Sequence, residues 1–212
     1  MAVMCGMKVN QVVRTLVLAD FFTNAGFSVF APVFAIFVTR QVDGGTMAVV
    51  GFGAAIVQIA KILVELPVAK ILDKNHGEYD DFYSLIFGST LIALVPFLYL
   101  FATQVVHIYI IQAIYGVGIA FSVPPWYAIF TRHIDKLQES FEWSLDSISV
   151  GLGAAGAAAI GGLLAQRFGF NFVFFAGGLF AIFGGLMQIR IFHHIRKKVP
   201  QGQVEPIPNK IG

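Results

Sequence analysis

Residues 47–72 read MAVVGFGAAIVQIAKILVELPVAKIL, and this stretch decides the class of the protein. It is 26 residues long, with only Lys61, Glu65 and Lys70 charged. A helix rises about 1.5 Å per residue, so roughly 20 such residues cross the hydrocarbon of a bilayer. The run is too long and too apolar for the surface helix of a soluble domain. Working outward, five further runs have the same character. They cover about 12–38, 82–102, 105–130, 141–166 and 170–192, separated by short polar or glycine-containing links such as Asp43-Gly44-Gly45.

Composition agrees. Hydrophobic residues make up 57% of the 212, and charged residues only 12% against about 25% in soluble domains. Mean hydropathy is +0.77. The sequence therefore predicts an all-α membrane protein with six transmembrane helices. The first run exceeds the h-region of a cleavable signal peptide, which predicts a retained helix. Cys5 is the one cysteine, which excludes an internal disulfide framework. A net charge of +2 gives no reason to expect a nucleic-acid partner. There is no HExxH, GxSxG, P-loop or paired CxxC motif, so neither an enzyme nor a bound cofactor is expected, and His193 and His194, adjacent on a helix, point apart and make a poor metal pair.

Charge placement predicts orientation. Six spans put both termini on one side. Of the 14 Lys and Arg residues, eleven fall on that side, Arg40 and Arg167 fall opposite, and Lys61 lies within a span. The positive-inside rule then places both termini in the cytoplasm. The predicted organisation is a cytoplasmic N-terminus (1–11), a first three-helix unit (12–102), a second (103–192) and a basic, mobile cytoplasmic tail (193–212).

The two units resemble each other. Val50-Gly51-Phe52-Gly53-Ala54-Ala55 in the second helix matches Val150-Gly151-Leu152-Gly153-Ala154-Ala155 in the fifth. Phe82 and Gly88 align with Phe172 and Gly178, and Pro32 sits late in its span as Pro124 and Pro125 do in theirs. Three helices is an odd number, so the second unit is inserted upside down relative to the first. Two inverted three-helix repeats are a common plan of secondary transporters.

Polar residues inside spans are costly, about 2.5–3.5 kcal/mol for an ionised group at mid-helix, and point to function. Asp20 and Asn24 share a face of the first helix, and Lys61 and Glu65 share one of the second. Their depths allow Asp20, Lys61 and Glu65 to cluster, a triad that leaves one carboxylate unbalanced and marks it as a proton carrier. The plainer reading is a structural Lys61–Glu65 pair beside a hydrated Asp20. Gln112 and Tyr115 in the fourth helix face either a polar path or a neighbouring helix. Glu142 and Asp146 occupy the first turns of the fifth helix, where the helix dipole favours negative charge. Gly151, Gly153, Gly156, Gly161 and Gly162 allow close packing or a moving interface.

The link Ala69-Lys70-Ile71-Leu72-Asp73-Lys74-Asn75-His76-Gly77-Glu78 looks like a degenerate glycine–x–leucine–x–aspartate–arginine–x–glycine loop, with Asp73 at the aspartate, Lys74 for the arginine and Gly77 one place late. Gln112-Ala113-Ile114-Tyr115-Gly116-Val117-Gly118 matches arginine–x–x–glutamine–glycine–x–glycine with Gln112 for the arginine. Gly153 and Gly161-Gly162 match an antiporter-associated glycine motif in which Ala157-Ala158 replace Gly-Pro. With these motifs the chain resembles one six-helix half of a major facilitator superfamily transporter.

That resemblance implies alternating-access movement of a small solute, with or without protons, and a path between two six-helix halves. Since the sequence contains one half, it implies a homodimer in the bilayer with the path on its two-fold axis. Asp73 would meet the start of the partner's fifth helix near Ser140, so that Asp73, Lys74, Gly77, Glu142 and Asp146 form a gate. Two other readings are a non-transporting scaffold or assembly partner, and a truncated half of a twelve-helix transporter.

Overall fold

A computed structural model describes residues 9–74 and 77–195. Cys5, His76 and the tail beyond Ile195 lie outside the described residues. Six helices follow one another: α1 Gln11–Gln41, α2 Met47–Leu72, α3 Tyr79–Tyr99, α4 Val105–His133, α5 Glu139–Phe168 and α6 Phe170–Ile189. A 3₁₀ turn, Arg190–His193, closes the series. Each helix is long and apolar enough to cross a membrane. The chain is an all-α membrane protein.

Local chemistry sets the ends. Asn10 caps α1 by accepting the Val12 N–H at 2.9 Å, and Thr46 caps α2 by accepting from Val49 N at 3.3 Å. Gly169, at φ +84°, turns α5 directly into α6, a left-handed conformation that a side chain would resist. On the side away from the termini, the α1–α2 and α3–α4 links touch where the Asp43 N–H donates to Thr103 O at 2.8 Å.

Neighbours in sequence are not the main neighbours in space. α1 packs mainly against α5 and α6, α4 against α2 and α3, and α3 against α6. Exchanging α1 with α4, α2 with α5 and α3 with α6 turns the first four pairings into one another and the α3–α6 pairing into itself. This is consistent with two inverted repeats. Close approaches follow the same exchange. A Cβ on Gly26 of α1 would lie 2.5 Å from Gly177 O of α6, and one on Gly88 of α3 would lie 2.6 Å from Gly118 O of α4. Buried Gly53 faces Gln112 of α4, while buried Gly153 faces Phe21 of α1. Gly51 and Gly151 are both open. In helix six it is Gly177, one residue before the expected Gly178, that takes the place of Gly88.

Lipid tails are as apolar as leucine, so close packing and interhelical hydrogen bonds hold such a bundle together more than exclusion from water does. Ser89 Oγ donates to Gln188 Oε1 at 2.7 Å between α3 and α6, both residues being buried. Two apolar cores flank the middle. One, around Phe30, Phe37, Tyr99 and Phe174, lies away from the termini. The other, around Leu16, Phe82, Leu85, Ile129 and Phe130, lies near them. Ile191 and Ile195 belong to this second core. Of the tail expected to be mobile from His193, the described part to Ile195 is packed: Ile195 is 8% exposed, in the same core as Val12 and Phe82.

Gly26→Ala should destabilise the bundle by about 1–3 kcal/mol through overpacking against α6. Gly51→Ala, which meets nothing within 4 Å, should be neutral or stabilising by up to about 1 kcal/mol. Thermal melts of the two purified variants in detergent check this, and equal effects would contradict the packing described.

Candidate functional site

Between the two cores lies a cavity of about 250 Å³. Its polar lining comes from α1 (Asp20, Thr23, Asn24), α4 (Tyr115, Ser122, Trp126) and α5 (Asp146), with Trp143 and Tyr127 beside them. The depths agree. Asp20 is nine residues into α1 and Asp146 seven into α5, while Trp126 stands seven residues before the end of α4. At about 1.5 Å per residue, all three lie roughly 10–14 Å from the terminal-side ends of their helices. They meet because α1 packs against α5 and α4 crosses between the cores.

The electrostatics are one-sided. Asp20 and Asp146 are close enough to act on each other, and Trp126 adjoins Asp20. The lining carries no Lys, Arg or His. The Trp126 indole nitrogen and Asp146 Oδ1 are buried and make no hydrogen bond of normal geometry. Asn24 Nδ2 donates to its own helix at Asp20 O, 2.9 Å. Tyr115 stacks on Phe27 at 4.8 Å, and Trp126 stacks on Phe130 at 4.7 Å, so the aromatic walls are fixed from behind. Two other grooves, one on α3 and α6 around Phe97 and Leu186, one beside α2 around Leu63 and Phe121, contain no charged side chain.

The expected residues separate into groups. Asp20, Asn24 and Tyr115 come together in the cavity. Lys61 and Glu65 do not join them: they pair with each other at 3.7 Å, each about 29% exposed on α2, and among the described residues no ion pair reaches Asp20. The triad fails because α1 turns this face toward α4 and α5 rather than toward α2. Gln112 is buried against Gly53 at the α2–α4 contact and does not line the cavity. Asp146, expected with the loop motif, is in the cavity instead. Glu142 is fully buried, its Oε2 accepting the Asp135 N–H at 3.3 Å. Asp73 and Lys74 are exposed at the end of α2, whereas Gly77 is buried. Gly153 and Gly161 face α1, while Gly151, Gly156 and Gly162 meet nothing within 4 Å.

Two groups escaped the sequence reading. Trp126, Tyr127 and Trp143 resemble interfacial aromatics, and their placement at one depth on two helices was the available signal. The second is a polar seam below the cavity. Arg132 binds Asp81, His133 stands 3.6 Å from Glu78, and Asn10 N–H donates to Asp135 Oδ2 at 3.2 Å. Acidic residues before and within the first turn of α3 and basic ones in the last turn of α4 marked it.

The sequence model of the Major Facilitator Superfamily matches residues 16–209. The chain belongs to the Major Facilitator Superfamily. No curated protein matches it closely enough to add a relative. The Major Facilitator Superfamily is a family of membrane transporters rather than enzymes, and the cavity lies inside the matched region.

Breaking the Asp81–Arg132 pair alone leaves a charge on a side chain only 3% exposed. Arg132→Met should therefore destabilise by about 3 kcal/mol, and adding Asp81→Asn should recover much of the loss. Chemical or thermal denaturation of the single and double variants measures this; a double variant no better than the single would contradict the pairing.

Proposed function

We propose that this protein is a secondary transporter that carries a small solute by alternating access, with the Asp20–Asp146 cavity as its binding site. The observation that carries the reading is the cavity itself: two carboxylates, an amide and several aromatic rings gathered within the membrane depth of a transporter-family bundle. Such residues are expensive there unless they serve a path or a ligand. The same carboxylates make protons available as a coupling ion.

A second copy of the chain completes the path in this proposal. α2 and α5 bury the fewest residues, four and three respectively. Their outer faces carry Ile62, Leu63, Leu66, Leu152 and Leu163, each more than 60% exposed. The half-exposed Lys61–Glu65 pair lies among them and, in a lone bundle, would face acyl chains. Another α2–α5 face gives it protein or water instead. Asp73, whose side chain makes no hydrogen bond or ion pair among the described residues, then lies where it would meet the start of the partner's α5 and close the terminal side. Both termini are placed in the cytoplasm by the charge asymmetry of the loops.

Alternating access requires the cavity to open to each side in turn. In a Cys5→Ser background, Thr23→Cys should react with a membrane-impermeant thiol reagent in both inside-out and right-side-out vesicles. Labelling from one side only, as a scaffold would give, contradicts the carrier reading.

A further inference from the structure

We infer that the solute is a small organic cation, its charge held between Asp20 and Asp146 and its apolar part against Trp126 and Trp143. This rests on reading the cavity as the solute site and adds the chemical class.

Charge balance comes first. Both carboxylates line the cavity and no basic side chain does. Arg132 and His133, further along α4, are already engaged, with Asp81 and Glu78 respectively. An anionic solute would bring a third negative charge into this space. A neutral solute would bring no counter-charge to either carboxylate. A cation resolves the imbalance.

The walls then choose among cations. A hard metal ion seeks six or more oxygen ligands, and among the described residues no group of three or more His, Cys, Asp or Glu side chains is placed to hold one. Aromatic faces offer a different attraction. Indole rings stabilise ammonium groups through their quadrupole, most strongly where water is excluded. Trp126 is only 7% exposed, and its indole N–H lies toward Asp20. Trp143 lies 6.0 Å from Trp126 and 4.6 Å from Phe130, centroid to centroid, which fixes its ring. The cavity of one chain, about 250 Å³, has room for a small cation.

The test uses a property of the sequence. The chain has two tryptophans, and both line this cavity. Tryptophan emission of the purified full chain in detergent is therefore a reporter of the site. Benzyltrimethylammonium should change it saturably, whereas benzyl alcohol and benzoate, neutral and anionic compounds with the same ring, should not. Asp20→Asn and Asp146→Asn should each weaken the cation at least tenfold, and Arg167→Gln, at the opposite end of α5, should leave it unchanged. If either Asn variant fails to elute as a single species, Asp20→Glu and Asp146→Glu, which keep the charge, should retain binding within about threefold. The assignment is overturned by an equal response to benzyl alcohol or benzoate, by undiminished affinity in well-folded Asn variants, or by no saturable response to the cation. Two-sided labelling of Thr23→Cys together with any of these results would keep the transporter and discard the cation.

Discussion

Asp20 and Asp146 stand at one depth inside an apolar bundle, and no cation lies among the residues that line their cavity. Everything else in the structure bears on how that is tolerated. An ionised carboxylate in hydrocarbon must have a counter-charge, a hydrogen-bond donor, or water. Here the protein supplies aromatic walls, a lone indole N–H and a cavity, and in the proposed function the solute supplies the counter-charge. The other charges on the helices are treated differently: Lys61 has Glu65, Asp81 has Arg132, and Glu142 has the Asp135 N–H.

The helix pairing makes this arrangement possible. Because each three-helix unit lends its first helix to the other unit, α1 and α4 occupy the centre and α2 and α5 the flanks. A glycine contact on each side of the pseudo-symmetric plan, Gly26 with Gly177 and Gly88 with Gly118, draws α6 and α3 onto the central pair. The two apolar cores sit above and below the cavity. The Arg132–Asp81 and His133–Glu78 contacts tie α3 to α4 at the terminal side and hold the floor in place.

Much of this was legible in the sequence, and the limit has a physical cause. Hydrophobic runs locate helices because a bilayer imposes a length, and the α2 boundaries, 47 and 72, follow from the sequence alone. Asp20 was recognisable from the cost of a charge in a span. Its partner was not. Asp20 and Lys61 lie at similar depths, but depth is one coordinate of three, and the direction of a side chain around its helix depends on which helices pack beside it. Neighbours in the chain suggested α2; the exchanged packing put α5 there instead, and with it Asp146. Ile195 shows the same limit: a position after the last apolar run reads as tail until its place in the terminal-side core is seen.

The pairing of Asp20 with Asp146 rather than with Lys61 is the claim on which the site, the charge imbalance and the solute class all stand. Paired cysteines test it directly. In the Cys5→Ser background, Asp20→Cys with Asp146→Cys should be bridged efficiently within one chain by a short bifunctional thiol reagent, and Asp20→Cys with Lys61→Cys should not. Bridging of the second pair in preference to the first would contradict the account.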